Sequence, residues 1–320
     1  MRLLVTGATG FVGAALTSRL LSDGRHAVRV ALRRGAEHLP AAVERVMVAD
    51  LAPDTSWGTA LDGVDTVIHL AARVHVMHDE EGDSLAEFRR VNVAGTLQLA
   101  RQAAQAGVQR FVFLSSVKVN GEETRAGRPF GPDDPVQPTD PYGISKYEAE
   151  RGLRELASGT RMQLVVVRSP LVYGPGVKAN FLTLMQAVER GWPLPFGAVD
   201  NRRSLVALDN LVDFIAVCAE HHSAPGQMFL VSDGADLSTP DLVRRIAHAM
   251  NRPTRLVRVP VRLLFAVAAL TGTRATMQRL CSSLAVDISQ SRALLGWTPP
   301  VLLDDAFARV VAGFLPSRTH

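Results

Sequence analysis

The sequence predicts an α/β fold: a doubly wound parallel sheet followed by a smaller α/β C-terminal lobe. In the first half, short apolar segments alternate with longer stretches that have the periodicity of amphipathic helices. Strict alternation of strand and helix is typical of a parallel sheet covered by helices on both faces. After residue 170 the segments become shorter, and Pro, Gly and Trp become more frequent, which indicates the second lobe.

Six segments are predicted to form the sheet. Each is short, β-rich and apolar enough to be buried on both faces. They are RLLVTG (2–7), HAVRVAL (26–32), RVMVAD (45–50), DTVIHLA (65–71), RFVFLSS (110–116) and RMQLVVVRSP (161–170). Between them, helical periodicity and a closing glycine predict helices over residues 9–24 and 84–107.

Charge and composition argue against nucleic-acid binding and against a membrane span. The chain has 320 residues with 35 basic and 31 acidic side chains, and no run of basic residues is longer than two. Proteins that bind nucleic acid concentrate basic residues on one face, so nucleic-acid binding is not expected. The apolar run LLFAVAAL (263–270) is far shorter than the roughly 20 residues of a bilayer span. We expect no membrane span and interpret this run as a packed helix, with contact to a membrane surface as the alternative.

Cysteine usage and the N-terminal residues bear on location. Cys218 and Cys281 form neither a disulfide framework nor a metal-ligand pattern, which fits a reducing compartment. Met1 and Arg2 lead directly into the first predicted strand, so no targeting segment is expected before the fold. These observations predict a cytoplasmic protein without a metal.

A glycine-rich turn joins the first strand to the first helix. VTGATGFVG (5–13) places Gly7, Gly10 and Gly13 in the spacing G-x-x-G-x-x-G. Such glycines permit a tight turn and bring the backbone close to a diphosphate, while the helix N-terminus offers N–H groups to the anion. This position predicts a dinucleotide-binding Rossmann domain over residues 1–170, to which residues 204–224 are expected to return.

The end of the second strand bears on which dinucleotide binds. An NAD-binding chain normally has a carboxylate there for the adenosine ribose, whereas this sequence reads VRVALRRG (28–35). Arg33 and Arg34 would attract the 2′-phosphate of NADP, although both could be ordinary surface arginines. NADP(H) is therefore the expected cofactor and NAD(H) the alternative. Asp50 and Leu51 end the third strand, where they would contact the adenine or cap the following helix.

Tyr142 and Lys146 lie four residues apart in TDPYGISKYEAE (139–150), at the start of a predicted helix. This spacing stacks both side chains on one face, so that the phenol and the ammonium can meet. A free phenol with a pKa of ~10 is a poor acid–base group near neutral pH, and a neighbouring ammonium favours the phenolate. The pair is a candidate proton donor with a partner that adjusts its pKa. A tyrosine alone would be interpreted as a packed aromatic.

Together with the glycine turn and this pair, four further motifs carry a resemblance to a known family. They are HLAA (69–72), VNVAGT (91–96), VYGPG (172–176) and SQSRALLGWTP (289–299). Over nearly its whole length the chain resembles the extended short-chain dehydrogenases/reductases of the NAD-dependent epimerase/dehydratase family, which act on nucleotide sugars. The resemblance implies a substrate lobe made mainly of residues 171–320. It also implies a homodimer through helices near 84–106 and 142–157, unless their apolar positions all face the sheet.

The resemblance also implies the site residues. Tyr142 would transfer the proton, Lys146 would hydrogen-bond the nicotinamide ribose, and Ser116 would hold the substrate oxygen. Ser115 is rejected, because alternate side chains of a strand point to opposite faces. The expected dinucleotide contacts are Gly7, Thr9, Gly10, Phe11, Val12, Gly13, Arg33, Arg34, Asp50, Leu51, Leu70, Ala71, Ala72, Asn92, Tyr142, Lys146, Pro170 and Val172. The expected contacts to a UDP-sugar are Ser116, Lys118, Asn180, Arg203 and Arg279.

Two of these assignments leave an alternative open. Arg279 is equally interpretable as a surface arginine. His75 follows the fourth strand and is either a residue of the cleft or a structural histidine.

Two departures from the family pattern bear on the reaction. Epimerases and dehydratases of the family usually carry Asn within R-x-x-N-x-Y-G-P, where this chain has Leu171 in RSPLVYGP. The dehydratases also have Asp-Glu after the catalytic Ser or Thr, where this chain has Val117 and Lys118. The first departure, with Arg33 and Arg34, favours a reductase, and the second argues against a dehydratase. The stretches RRSLVALDNLVDFI (202–215) and FLVSDGADLSTPDLVRRI (229–246) resemble most the bacterial reductases that make UDP-N-acetylquinovosamine from UDP-4-keto-6-deoxy-N-acetylglucosamine for surface polysaccharides such as O-antigen. The alternatives are a UDP-hexose 4-epimerase with tightly bound NAD and a catalytically silent dinucleotide sensor, although such sensors typically lack the Tyr/Lys pair.

Overall fold

The computed structural model describes residues 1–35, 39–74, 84–125 and 127–315. Seven strands in these residues form one parallel sheet and two form a small second sheet, which confirms the predicted α/β fold. The strands are β1 (Arg2–Thr6), β2 (Ala27–Leu32), β3 (Glu44–Met47), β4 (Thr66–His69), β5 (Arg110–Ser116), β6 (Gln163–Ser169), β7 (Leu171–Tyr173), β8 (Leu205–Ala207) and β9 (Met228–Leu230).

The strand order creates a reversal of direction beside the glycine turn. Along the main sheet the order is β3-β2-β1-β4-β5-β6-β9, and all neighbouring pairs are parallel. The chain therefore runs from β1 outward to β3 and then returns to β4 on the other side of β1. Ligands of open α/β sheets bind at such a reversal, outside the carboxyl ends of the strands.

The seventh strand of the main sheet, β9, is missing from the six strands that the sequence predicts. It pairs with β6, where Val166 lies opposite Met228 and Arg168 lies opposite Leu230. A strand of three residues has too few positions to show alternation or a continuous apolar run. Only the tertiary pairing therefore identifies it.

Helices connect the strands and build most of the second lobe. A π-helical segment (Arg89–Gly95) joins α3 to α4, so the single helix predicted over 84–107 is divided into three parts, and a 3-10 turn (Val117–Val119) follows β5. The α-helices of the described residues are α1 (Phe11–Asp23), α2 (Gly58–Leu61), α3 (Ser84–Phe88), α4 (Thr96–Gln105), α5 (Pro141–Ser158), α6 (Ala179–Glu189), α7 (Leu208–Glu220), α8 (Thr239–Ala249), α9 (Val261–Leu270), α10 (Arg274–Cys281), α11 (Ser289–Leu295) and α12 (Leu303–Phe314).

Helices cover both faces of the main sheet. On one face, α1 and α7 bury side chains such as Leu16 and Phe214 against the strands. On the other face, α4 and α5 contribute Leu99 and Leu153 to a separate core. Burying one such side chain contributes about 1.5–3 kcal/mol. The sheet is therefore held between two apolar layers that leave only its strand ends open for a site.

The helices expected to form a homodimer pack against each other. A Cβ added at Gly152 of α5 would lie 2.8 Å from the side chain of Leu97 in α4. A larger residue at position 152 would therefore displace the side chain of Leu97. The homodimer itself stays a prediction.

The C-terminal lobe has its own apolar core. Tyr173 is fully buried, and its ring centroid lies 5.6 Å from that of Phe181 and 5.0 Å from that of Phe307. Helices α6, α8 and α12 surround this aromatic cluster. The division of the chain at residue 170, with residues 204–224 returning to the first domain, stays a prediction. Within the described ranges, no helix has both the length and the apolar composition needed to cross a bilayer.

Candidate active site

The glycine turn forms a backbone cradle at the start of α1. Gly7 has a positive φ of 72°, and a Cβ on Gly13 would lie 2.1 Å from the carbonyl oxygen of Gly7. The Gly10 amide donates to the same oxygen at 2.9 Å. No side chain of the described residues caps α1, so its first amides are available to an anion. This cradle fits the diphosphate of a dinucleotide, as the sequence predicts.

The residues predicted at the adenosine end interact with each other. The Arg33 guanidinium donates to Asp50 Oδ1 at 2.8 Å, and the Leu51 amide donates to the same oxygen at 3.0 Å. The hydrogen bond from Arg33 lowers the pKa of Asp50. Arg34 is exposed. Arg33 is therefore already paired with a carboxylate, and a role for either arginine in binding a 2′-phosphate stays a prediction.

The segment after β4 packs directly on the glycine turn. Gly7 lies so close to the backbone of Leu70 and Ala71 that a Cβ there would be 2.7 Å from the Ala71 nitrogen. Leu70, Ala71 and Ala72 are half-buried beside this turn. Among the other expected dinucleotide contacts, Thr9 and Phe11 are exposed, Val12 and Val172 are half-buried and Pro170 is buried. Direct contact of these residues with a dinucleotide stays a prediction.

Asn92 lies in the π-helical segment and is 1% exposed. Its Oδ1 accepts from the Arg73 amide at 2.7 Å, and its Nδ2 donates to the Arg73 carbonyl and to Ser145 Oγ, each at 3.0 Å. These hydrogen bonds hold two protein segments in place, the chain that leaves β4 and the first turns of α5. The expected contact between Asn92 and the cofactor stays a prediction.

Tyr142 and Lys146 begin α5, as the sequence predicts. Asp140 caps this helix by accepting from the Gly143 amide at 2.6 Å, and Pro141 occupies the first helical position. Lys146 is 2% exposed, and its Nζ donates to the Leu114 carbonyl at 2.9 Å. Nζ also lies 5.9 Å from the centroid of the Tyr142 ring. The amine therefore lies on the same side of α5 as the Tyr142 ring, beside the carboxyl end of β5.

The ionisation of this pair differs from the sequence-based expectation. Burial, and to a lesser extent the charge of Asp140, raises the pKa of Tyr142 to about 12. Burial also lowers the pKa of Lys146 to about 7, against a smaller opposing effect of Glu150. The pKa of Tyr142 is therefore raised, whereas a neighbouring ammonium alone would lower it, and burial is the largest cause. The phenol is therefore a proton donor at neutral pH, and the amine titrates near neutrality.

Ser115 and Ser116 end β5, and their side chains have different hydrogen-bond partners. Ser116 is half-buried, and its Oγ accepts from the Lys118 amide at 3.3 Å. Ser115 is 2% exposed and donates to Glu150 Oε1 at 2.6 Å. Ser115 is therefore engaged in the interior, in agreement with its rejection from the site. Lys118 forms an ion pair with Asp140, the residue that caps α5. To contact a sugar, as predicted, the Lys118 ammonium would have to leave this carboxylate.

A buried polar network lies behind the site, and none of its residues is among the site residues predicted from the sequence. The Arg168 guanidinium donates to both carboxylate oxygens of Glu150, from Nε to Oε1 at 2.9 Å and from Nη2 to Oε2 at 2.6 Å. Arg168 also donates to Asn120 Oδ1 at 3.0 Å. Glu150 is fully buried and Arg168 is 2% exposed. The one sequence signal is that Glu150 lies four residues after Lys146, on the same face of α5.

His69 of the HLAA motif is another buried polar residue that is not among the site residues predicted from the sequence. It is fully buried, with Nδ1 2.7 Å from Thr6 Oγ1 and Nε2 2.8 Å from Thr96 Oγ1. Burial and the charge of Lys146 lower the pKa of His69 to about 3. Its imidazole is therefore neutral and links β4 to β1 and α4. His75 lies outside the described residues.

Three of the predicted substrate residues, Asn180, Arg203 and Arg279, lie within residues 171–320, and two of them interact. Arg203 donates to the Ser282 carbonyl at 2.9 Å, and its backbone pairs with Leu237. Burial, followed by the positive charge of Arg279, lowers the pKa of Arg203. The two arginines are therefore close enough to repel each other, as expected of a site built for an anion. Asn180 is half-buried in the first turn of α6.

Metal ligation has no support in the part of the chain that the structure describes. No group of three or more His, Cys, Asp or Glu side chains suited to a metal ion occurs there. The expected absence of a metal stays a prediction.

The sequence profile of the NAD dependent epimerase/dehydratase family matches residues 3–232. The chain belongs to this family. Among its epimerase/dehydratase relatives, a UDP-glucose 4-epimerase of Vibrio cholerae is 44% identical over 319 residues, covering 99% of this chain and 97% of its own. A UDP-glucose 4-epimerase of Mycolicibacterium smegmatis is 32% identical over 330 residues, with 98% of each chain covered.

Solved structures of similar proteins agree with the fold. MoeE5 in complex with UDP-glucose and NAD matches with a TM-score of 0.76 and 25% identity, and 98% of each chain is covered. UDP-glucuronic acid 4-epimerase from Bacillus cereus in complex with NAD has a TM-score of 0.79 at 20% identity, with 98% of each chain covered, which shows the fold alone.

These comparisons confirm the predicted family but not the finer predictions. The relatives named above are epimerases, so the resemblance to 4-ketoreductases is not confirmed. The family is defined as NAD dependent. A preference of this chain for NADP is not shown.

Proposed function

We propose that this protein is a UDP-hexose 4-epimerase that retains NAD and accepts UDP-glucose. The 44% identity with the Vibrio cholerae UDP-glucose 4-epimerase, over 99% of this chain, carries the proposal. The convergence of Ser116, Tyr142 and Lys146 at the carboxyl end of β5 supports it, because these are the residue types needed to hold and deprotonate a sugar hydroxyl.

The residues of the glycine turn fit the cofactor. Gly7 and Gly13 would place backbone against its diphosphate, since a Cβ on either glycine would collide with backbone atoms of the turn or of Ala71. The uncapped N-terminus of α1 would provide N–H donors. When bound, NAD would supply the acceptor, and later the donor, of the hydride at C4 of the sugar.

Protein groups would handle the proton on the 4-oxygen. Ser116 would hold this oxygen by a hydrogen bond, while Tyr142 would remove its proton and later return it. Lys146, with a pKa of about 7, would favour the phenolate in the fraction of molecules in which it is charged. The proton and the hydride each leave the sugar and return to it, so the overall reaction is an isomerisation with no net oxidation.

A second candidate is the 4-ketoreductase, which would consume NADPH. Two observations favour it. Leu171, at the position where family epimerases usually carry Asn, is 45% exposed in β7. Arg34 is exposed at the end of β2, where a 2′-phosphate would bind. This candidate predicts stoichiometric loss of NADPH with UDP-4-keto-6-deoxy-N-acetylglucosamine.

The test is direct detection of UDP-galactose after incubating the purified protein with UDP-glucose and no added cofactor. We expect interconversion, and release of about one NAD per chain when the protein is denatured with acid. Tyr142→Phe should lower the rate by about 10²–10⁴-fold, because it removes the general acid–base.

Tyr147→Phe is the matched control, since it removes one hydroxyl from the same helix away from the pair, and it should retain activity. Absence of interconversion together with NADPH consumption on the 4-keto sugar would replace the epimerase with the reductase. Unchanged activity in Tyr142→Phe would remove the proposed role of this tyrosine.

A further inference from the structure

One segment of the second lobe concentrates the positive charge of the chain. Residues 242–286 contain eight arginines and no Asp or Glu, whereas the whole chain has 35 basic and 31 acidic side chains. The remainder of the chain is therefore net acidic. The eight arginines lie in and between helices α8, α9 and α10, with Arg262 in α9 itself and Arg274 at the start of α10.

Most of these arginines have no carboxylate partner. In the described residues, ion pairs of this segment are confined to Arg244 with Asp241 and Arg245 with Asp304. The other six are exposed and are Arg252, Arg255, Arg258, Arg262, Arg274 and Arg279. Exposed like charges without counter-charges create a positive potential that attracts anionic partners.

Helix α9 lies in the middle of this basic segment and is apolar on two sides. Its inner side buries Leu264 and Ala268 against the core of the lobe. Its outer side exposes Leu263 (54%), Val267 (52%) and Leu270 (89%), which are spaced at i, i+4 and i+7 and share one face. Helix α10 follows and has no buried residue. This outer face of α9 therefore has no covering element among the described residues.

Further exposed apolar residues border the segment that leads into α9. Val257 is 48% exposed and Trp192 is 55% exposed, and the guanidinium of Arg190 lies 5.1 Å from the Trp192 ring. Their segments are joined, because the Gly197 amide donates to the Val257 carbonyl at 2.9 Å. Tryptophan is enriched where proteins contact the boundary between membrane and water.

We propose that the outer face of α9, together with Arg262 of the same helix and the flanking Arg258 and Arg274, docks the protein on the surface of an anionic phospholipid bilayer. The apolar side chains at residues 263, 267 and 270 would enter the boundary between headgroups and acyl chains, and the arginines would contact lipid phosphates. Helix α9 has ten residues and would lie in the plane of the membrane. This proposal does not depend on which reaction the site performs.

Two other occupants fit less well. A second copy of the chain, related by a two-fold axis, would place the same basic surface against itself, with no acidic residue in 242–286 to pair with it. RNA would use the arginines but would leave Leu263 and Leu270 exposed to water. A bilayer satisfies the positive charges and the apolar face at once.

The docking surface adjoins the candidate substrate residues. Arg279 belongs to α10 and is close enough to Arg203 to lower the pKa of that guanidinium.

The test is co-sedimentation of the full chain with vesicles of phosphatidylglycerol and phosphatidylcholine, compared with phosphatidylcholine alone. We expect sedimentation with the anionic vesicles only. Val267→Gln/Leu270→Gln should weaken partitioning at least tenfold, since each side chain loses its burial. Arg262→Gln/Arg274→Gln should weaken it about 25-fold, since each arginine near an anionic surface contributes about fivefold.

Matched controls keep the result specific. Met47→Gln/Leu302→Gln removes two exposed apolar side chains elsewhere, and Arg101→Gln/Arg151→Gln removes the same charge elsewhere. Both controls should sediment like the wild type, and all variants should keep the wild-type thermal midpoint. Equal sedimentation of Val267→Gln/Leu270→Gln and the wild type would overturn the proposal. It would also be overturned by no sedimentation of the wild type, by a dimer that this variant dissociates without lipid, or by tighter binding to a single-stranded RNA 20-mer than to vesicles.

Discussion

At the scale of single residues, burial controls the ionisation of the candidate catalytic pair. Lys146 is 2% exposed, and desolvation lowers its pKa from 10.5 to about 7. The same cause raises the pKa of Tyr142 to about 12. The proton therefore resides on the phenol at neutral pH, and activation of the phenol depends on how much of Lys146 is charged.

Lys146 should make the stability of the protein depend on pH. Between about pH 7 and pH 10.5 the unfolded chain keeps a proton on this amine that the folded chain has lost, so stability rises with pH in that window. Below pH 7 the folded protein carries the full penalty of a buried charge, a few kcal/mol by order of magnitude (about 1.4 per pKa unit). The free energy of unfolding of Lys146→Met should therefore exceed that of the wild type most near pH 6. This difference in free energy should shrink toward pH 10.

Urea unfolding at pH 6, 8 and 10 measures this difference. Lys178→Met, at an exposed lysine, is the control and should show no such dependence. A difference between wild type and Lys146→Met that stays constant over the three pH values would contradict the lowered pKa. The lost hydrogen bond to Leu114 shifts all three values alike and does not affect the comparison.

At the scale of secondary-structure elements, one buried ion pair joins the catalytic helix to the sheet. Arg168 in β6 holds Glu150 in α5 through two hydrogen bonds, and Asn120 and Ser115 connect the same pair to the chain around Ser116. Because Glu150 lies one turn after Lys146, this pair sets the position of α5 relative to the end of β5. The Arg168–Glu150 ion pair therefore positions the site, although neither residue is a predicted catalytic or binding residue.

Breaking this ion pair should be costly. Glu150→Gln leaves the Arg168 guanidinium buried without a counter-charge, which should lower the free energy of unfolding by about 3–5 kcal/mol. Glu148→Gln is the matched control: it is the same substitution on the same helix, and its partner Arg89 is on the surface, so little change is expected. Urea unfolding measures both.

The double variant Glu150→Leu/Arg168→Met extends this test. It should recover much of the stability lost in Glu150→Gln, because no buried charge remains unpaired. A cost for Glu150→Gln no larger than that of Glu148→Gln would show that the pair is not buried as described.

At the scale of the whole molecule, the C-terminal tail packs on the dinucleotide-binding half of the chain. Trp297 follows α11 and is 5% exposed in the core formed by the main sheet, α1 and α7. Its ring centroid lies 4.8 Å from that of Phe214 in an edge-to-face arrangement, and its Nε1 donates to Asp213 Oδ2 at 3.0 Å. The last helices of the second lobe are thereby attached to the core of the first half.

Removing this contact should destabilise the molecule as a unit. Trp297→Ala should lower the free energy of unfolding by about 3–5 kcal/mol, as expected for a large buried aromatic side chain. Trp192→Ala, at a tryptophan that is 55% exposed, should change it little. Chemical unfolding followed by far-ultraviolet circular dichroism compares the two, and equal stability of both variants would contradict the docking of the tail.

Local patterns predicted much of this architecture. The strands predicted over residues 2–7, 26–32, 65–71 and 110–116 each agree with the structure within two residues, because a strand buried on both faces must be a continuous apolar run. The glycine turn was equally readable, since a positive φ at Gly7 and the contact at Gly13 leave no room for a Cβ. The spacing of Tyr142 and Lys146 predicted their proximity, because residues four apart share a helix face.

The sequence by itself therefore determined the parallel sheet, the turn at its reversal and the candidate catalytic pair, since each depends on residues that are neighbours along the chain. Only the tertiary structure decided the pairing of Arg168 with Glu150, the seventh strand at residues 228–230, and the pKa values of Tyr142 and Lys146. These features depend on which distant segments exclude water from a group. Desolvation is a sum over neighbours in space, and a pattern along the chain does not contain that sum.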